Sequence, residues 1–193
     1  LVLVHAGGGG DGAPLIENFI EGLCAREGRA PFYSWIISGP EMNSATRERL
    51  RDRASSLPHL RFEDFTDDMP SCMEAADAVV SMGGYNTVCE VLSLQKPALI
   101  VPRSRPVKEQ AMRAIRMAAH GYLACMLDAD VCPDALITAA IRLTMNGGAQ
   151  LRARKALPFD GLDRIADIVC RGAPLRPIAG KRLAAGGAFA AAP

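Results

Sequence analysis

The sequence lacks any uninterrupted apolar stretch near the roughly 18 residues of a membrane-spanning helix. Its best runs are Pro97 to Pro102 and Tyr122 to Leu127, which excludes a spanning helix within it. An excess of one charge is missing too. The 22 Lys+Arg against 21 Asp+Glu leave a net charge of +1, so no global field gathers nucleic acid or an anionic membrane. Any anion recognition must be local. Six cysteines stand at positions 24, 72, 89, 125, 132 and 170 with no Cys-x-x-Cys spacing and no nearby His pair, which argues against a zinc site or a redox dithiol. Core thiols and a reducing cytosol are the expectation, as no secretory signal is recognisable. A leading methionine is also absent: the chain opens Leu1-Val2-Leu3-Val4 and reads as a piece of something longer.

What is present is enough for a core. Of 193 residues 49% are hydrophobic, the supply of one compact domain. Apolar runs of strand length recur at 1–5, 32–37, 60–63, 77–82, 98–101 and 122–127, separated by segments with helical spacing. After the first run, Pro14 suits the first helical position, and Leu15, Ile16, Phe19, Ile20 and Leu23 form one stripe. Residues 43–56 read as a polar, arginine-rich outer helix; residues 109–119 place Met112, Ile115 and Ala119 on one face, with Gly121 as a C-terminal cap. Further helices are expected within 133–146 and 161–171. Fully apolar strands alternating with helices predict an α/β fold, a Rossmann-like doubly wound parallel sheet. Ligands of such sheets bind at the carboxyl ends of the strands. We read residues 1–172 as the domain and 173–193 as a Pro/Ala/Gly-rich tail of poor order.

Two strand ends carry glycines. Gly7-Gly8-Gly9-Gly10-Asp11-Gly12 follows the first strand, and a backbone without Cβ atoms can approach a ligand and aim N–H groups at an anion. The loop fits neither the dinucleotide fingerprint nor a P-loop, and a flexible tight turn is its plainer reading. Gly83-Gly84-Tyr85-Asn86-Thr87 ends the fourth strand and opens another helix. Two helix dipoles converging there suit a diphosphate. Glu90 has two readings: Thr87-x-x-Glu90 is a capping-box pattern, whereas a carboxylate one turn into this helix can accept hydrogen bonds from vicinal ribose hydroxyls. Arg103, Arg105 and Lys108 follow the fifth strand, either as partners of phosphate and a leaving group or as a solvated loop. Gln110 offers a donor and an acceptor, as sugar hydroxyls need. Asp128-Ala129-Asp130 resembles a metal-binding Asp-x-Asp, but its place between strand and helix favours turn and cap roles. His5 either faces the crevice or packs beneath it; His59 and His120 are peripheral. No Ser/His/Asp or Cys/His arrangement emerges.

The stretch Phe65-Thr66-Asp67-Asp68-Met69, then Ala76 to Ser81, Gly83-Gly84, Thr87, Glu90, Lys96 to Pro102 and Glu109-Gln110 resembles the C-terminal domain of family 28 glycosyltransferases, including the branch that adds N-acetylglucosamine to lipid I and less characterised bacterial relatives. The resemblance spans roughly residues 1 to 145. It implies the donor-binding half of a two-domain GT-B enzyme that uses a UDP-sugar and needs neither metal nor cofactor. It further implies an acceptor-binding N-terminal domain, in the same or a separate chain, that holds the general base; this chain then works in the cytoplasm, membrane-associated through that half.

Carried over by position, the loop of Phe65, Thr66 and Met69 receives uracil, and Gly83 and Gly84, with Asn86 and Thr87 beside them, face diphosphate. Glu90 binds ribose, Glu109 and Gln110 reach the donor sugar, and Gly8, Gly9 and Gly10 approach phosphate or the interdomain cleft. Arg103 and Lys108 stabilise the leaving group. The resemblance departs at Glu109, where the lipid I branch has a second glutamine, and in the glycine loop. Two other readings stand beside it: a non-catalytic nucleotide-sugar-binding subunit of a split transferase, and a UDP-sugar 2-epimerase-like enzyme.

Overall fold

A computed structural model describes residues 1–103, 108–152, 157 and 159–172. Arg105 and the tail from 173 onward, about which the sequence raised expectations, lie outside the described residues. The chain divides into two compact units, Leu1–Leu157 and Pro158–Pro193.

The first unit alternates strand and helix throughout: β1 (Val2–His5), α1 (Ala13–Cys24), β2 (Ser34–Ile37), α2 (Ser44–Ser55), β3 (Leu60–Glu63), α3 (Met69–Ala75), β4 (Ala78–Ser81), α4 (Tyr85–Ser93), β5 (Ala98–Ile100), α5 (Glu109–Ala119), β6 (Ala124–Cys125) and α6 (Pro133–Arg152). All six strands pair in parallel in the order β3-β2-β1-β4-β5-β6, the doubly wound arrangement. The order reverses between β1 and β4, and there the connections leave to opposite faces and open a crevice at the strand ends. Both glycine-rich turns follow these two strands.

Strand alternation sorts the core into two layers. Val2 and Val4 of β1 face one layer with Leu15, Ile16, Phe19 and Ile20 of α1, Leu50 of α2, and Leu136 and Ile137 of α6. Leu3 faces the other, with Met73 of α3, Val88 and Val91 of α4 and Ala114 of α5. Each fully buried side chain of this size contributes about 1.5–3 kcal/mol, and Phe19→Ala would cost about 3–5 kcal/mol. The sheet is covered on both sides, which is why its central strands β1, β4 and β5 carry no polar alternation, whereas the edge strand β3 alternates as Leu60-Arg61-Phe62-Glu63.

The local signals account for the helix ends. Pro14 sits in the first turn of α1, one place later than expected, since the helix opens at Ala13. Asn43 caps α2, its Oδ1 accepting from the Thr46 N–H at 3.2 Å. Asp68 caps α3 through the Ser71 N–H at 3.1 Å, and the Ser71 hydroxyl and N–H together hold its carboxyl below the usual range. Gly121 follows α5 at φ +72°, as a C-terminal stop requires. On α5 the buried residues are Ala111 and Ala114, while Met112 and Ile115 are exposed. The larger apolar face is therefore turned outward, because alanines let the helix lie close on the sheet. Asp128 to Asp130 form a short 3-10 turn, the Asp128 carbonyl accepting from the Val131 N–H at 3.3 Å. In the second unit, α7 (Gly161–Gly172) is amphipathic and leaves Leu162, Ile165 and Ile168 exposed. Among the described residues no helix is long and apolar enough to cross a membrane.

Candidate nucleotide-sugar site

Two adjoining clefts open at the carboxyl ends of β1, β2 and β4. The first, about 480 Å³, runs from the end of β1 (His5) and β2 (Ile37, Gly39, Pro40) to the β3–α3 loop (Phe65, Thr66, Met69) and the start of α4 (Gly84 to Thr87, and Glu90). The second, about 400 Å³, is floored by Gly7 to Asp11 and bounded by Glu41, Ser81, Met82, Arg103 and Gln110. Gly7, Gly8, Gly84 and Thr87 border both. One elongated ligand can thus lie across the switch point.

The helix termini at this crevice are uncapped by side chains. Gly12 precedes α1 and Gly84 precedes α4, neither with a side-chain hydrogen bond. The first N–H groups of each helix are left for water or ligand, and the dipoles add positive potential. On α4 this removes one of the two readings of Glu90, the cap. The cap is Gly84, and Thr87 is a buried residue inside the helix, so the capping box does not form. The Glu90 carboxylate carries no hydrogen bond or ion pair among the described residues, and Glu90 lines the first cleft.

In the second cleft Arg103 is the one cation among the described lining residues. Its Nη1 donates to Asp11 Oδ2 at 2.8 Å, while its Nε is buried without a partner. Gln110 also lines this cleft, and its Oε1 is buried and unpartnered. A second carboxylate, Glu41, lies against the glycine loop: a Cβ built on Gly8 would stand 2.9 Å from its Oε2.

The loop around Glu41 is built as firmly as a sheet. Glu41 N–H donates to the Gly8 carbonyl at 2.7 Å. Arg47 of α2 donates to the carbonyls of Gly39, Pro40 and Met42 at 2.9–3.0 Å. Gly9 holds φ +93°, where a Cβ would meet the Ser38 carbonyl at 2.3 Å. Only glycine allows that approach.

Most expected residues gather at the clefts: Gly8, Gly9, Gly10, Phe65, Thr66, Met69, Gly84, Asn86, Thr87, Glu90, Arg103 and Gln110. Three stand apart. Gly83 is buried at φ +72° against Ile100 and shapes the turn instead of lining a cleft. Glu109 is committed to Arg113, Oε1 to Nη1 at 2.8 Å, and with Lys108 it borders a separate groove along α5. Arg113 in turn lies over the Tyr85 ring, 5.4 Å from its centroid, and fastens α5 to the start of α4. Sequence reasoning passed over Glu41 and Pro40, and gave Tyr85, which it placed in the second glycine turn, no role of its own. The strand-end rule applied to Ser38-Gly39-Pro40-Glu41 after β2 would have found the first two.

Comparison with known proteins bears on family and fold. The chain is 30% identical over 125 residues, 63% of its length, to the UDP-N-acetylglucosamine–N-acetylmuramyl-(pentapeptide) pyrophosphoryl-undecaprenol N-acetylglucosamine transferase of Clostridium kluyveri, and spans 35% of that relative. Among solved structures it resembles Acinetobacter baumannii MurG with a TM-score of 0.70 at 21% identity, covering 89% of this chain and 49% of the other. It also resembles the UDP-GlcNAc 2-epimerase of Neisseria meningitidis bound to UDP-GlcNAc, with a TM-score of 0.61 at 15% identity over 88% and 44%. At those identities the structural likeness is one of fold. Residues 2–167 match the glycosyltransferase family 28 C-terminal domain, and on that match, over the all-parallel sheet and its two glycine-marked helix ends, the chain belongs to that family.

Proposed function

We propose that this chain is the donor-binding half of a glycosyltransferase that takes a UDP-sugar and hands the sugar to an acceptor held by another domain. The observation that carries the reading is Glu90: an unpartnered carboxylate on the wall of the first cleft, one turn into a helix whose uncapped N-terminus borders both clefts. A carboxylate there can accept both ribose hydroxyls. The β3–α3 loop then receives the base, the glycine loop and the start of α4 receive the diphosphate, and Gln110 receives the sugar. Lys108 and Glu109 have no part in this assignment.

In the transfer the acceptor oxygen bonds to the anomeric carbon as the bond from that carbon to the β-phosphate oxygen breaks. UDP departs with the electron pair, and the acceptor's proton goes to a base on the other half. The charge growing on the diphosphate is met by backbone N–H groups and by Arg103. Since the chain spans about a third of its matched relative, an acceptor-binding domain, in the same or a partner chain, is part of the proposal.

Calorimetry tests it. UDP binding weakened at least tenfold by Glu90→Gln, with 2′-deoxy-UDP affected far less, supports the ribose assignment. Equal UDP affinity in wild type and variant overturns it. Glu90 makes no capping bond, so the variant's melting temperature should not move.

A further inference from the structure

His5 ends β1 in register with Ile37 of β2 and Ser81 of β4. It is 2% exposed, yet it lines the first cleft. Its two ring nitrogens differ. Nδ1 accepts from the Gly7 N–H at 3.4 Å, so the ring proton of the neutral imidazole belongs on Nε2. Nε2 is shut off from solvent and has no partner. A buried donor left unpaired costs about 1–3 kcal/mol, and such groups are rare in folded proteins. His5 lines the first cleft, so a ligand seated there, with a small turn of the ring that uncovers Nε2, can supply the missing acceptor. Burial pushes the imidazole pKa down to about 4, so the ring offers a hydrogen bond without bringing a cation.

We infer that the Nε2–H of His5 donates a hydrogen bond to an oxygen in the ribose–phosphate segment of the bound nucleotide, making His5 a ligand-reading residue of the donor site. His5 stands at the end of β1 immediately before the glycine loop and shares the first cleft with Glu90, the two features to which the donor-site reading gives the diphosphate and the ribose. The inference rests on the donor-site reading above. It adds a side chain from the floor of the crevice to contacts otherwise made by loops and helix ends.

The test combines long-range proton–nitrogen spectra of the histidine rings with UDP and uridine titrations of wild type, His5→Phe and His5→Gln. The expected result is a Nε2 resonance that moves on adding UDP, with UDP binding about tenfold weaker in His5→Phe. His5→Gln, which keeps a donor near the same point, should recover to within about threefold. Loss against uridine as well as UDP puts the acceptor on the ribose; loss against UDP alone puts it on the phosphate. The inference is overturned if wild type binds UDP in a Glu90-dependent way while the Nε2 resonance stays still and His5→Phe binds equally well. Absence of Glu90-dependent UDP binding removes the donor-site reading, and this inference with it. Should His5→Phe fail to fold, the wild-type resonance decides.

Discussion

Arg103 and Asp11 meet across the second cleft, Nη1 to Oδ2 at 2.8 Å, and so join the loop after β5 to the glycine loop after β1. Both side chains are roughly half exposed, 42% and 49%, so the pair adds at most about 1 kcal/mol to stability. Its effect is on position: Asp11 holds a guanidinium at the second cleft, where the proposed donor reading needs a partner for diphosphate charge.

Removing that cation should therefore be felt in binding and hardly in folding. For Arg103→Met we expect about tenfold weaker UDP binding by calorimetry, unchanged uridine binding, and a melting temperature within about 2 °C of wild type. Equal losses against UDP and uridine would remove Arg103 from the phosphate.

Two glycines should separate folding from ligand approach. Gly9→Ala forces a methyl group to 2.3 Å from the Ser38 carbonyl at φ +93° and should lower stability by more than about 2 kcal/mol in chemical denaturation. Gly84 has an ordinary φ of −52° and nothing within 4 Å of a built Cβ. Gly84→Ala should fold like wild type and still lose about tenfold in UDP affinity, because the methyl enters the space shared by both clefts. Normal UDP binding by Gly84→Ala would mean that the nucleotide does not pass there.

His5 predicts an acid-sensitive fold. Its pKa falls from 6.5 in the open chain to about 4 in the folded one, so the unfolded state takes up a proton first. Stability from this group is complete above pH 6.5 and declines as the pH falls from 6.5 toward 4, approaching a loss of about 3 kcal/mol. Urea unfolding of wild type and His5→Phe across that range should converge on one pH-independent difference above pH 7 and diverge below it. Parallel curves would refute the assignment.

The central strands, their order of appearance and their burial on both faces are legible in the sequence because parallel strands covered by helices read as short, largely apolar runs; the edge strand β3, Leu60-Arg61-Phe62-Glu63, lacks that burial. The glycine turns are legible for a similar reason: Gly7 to Gly12 and Gly83-Gly84 stand where strands end, and strand ends are where such sheets bind ligands. Glu90 illustrates the limit. Its spacing from Thr87 serves a cap as well as a ligand, and only the placement of the first helical turn, at Tyr85 and not three residues later, separates the two.

Other points depended on side chains brought together from distant segments. Glu109 and Gln110 are neighbours in sequence, but successive helical positions are about 100° apart, so one turns to Arg113 and the other to the cleft. His5, Glu41 and the Asp11–Arg103 pair acquire meaning only when β2, β1, β4 and β5 line up in that order in the sheet. By itself, the sequence determined the alternation of elements, the two-faced core and the glycine-marked strand ends, since these follow from local propensity and burial. The tertiary structure decided which polar groups share a cleft and which are spent on one another, because that depends on register and on distances between residues far apart in the chain.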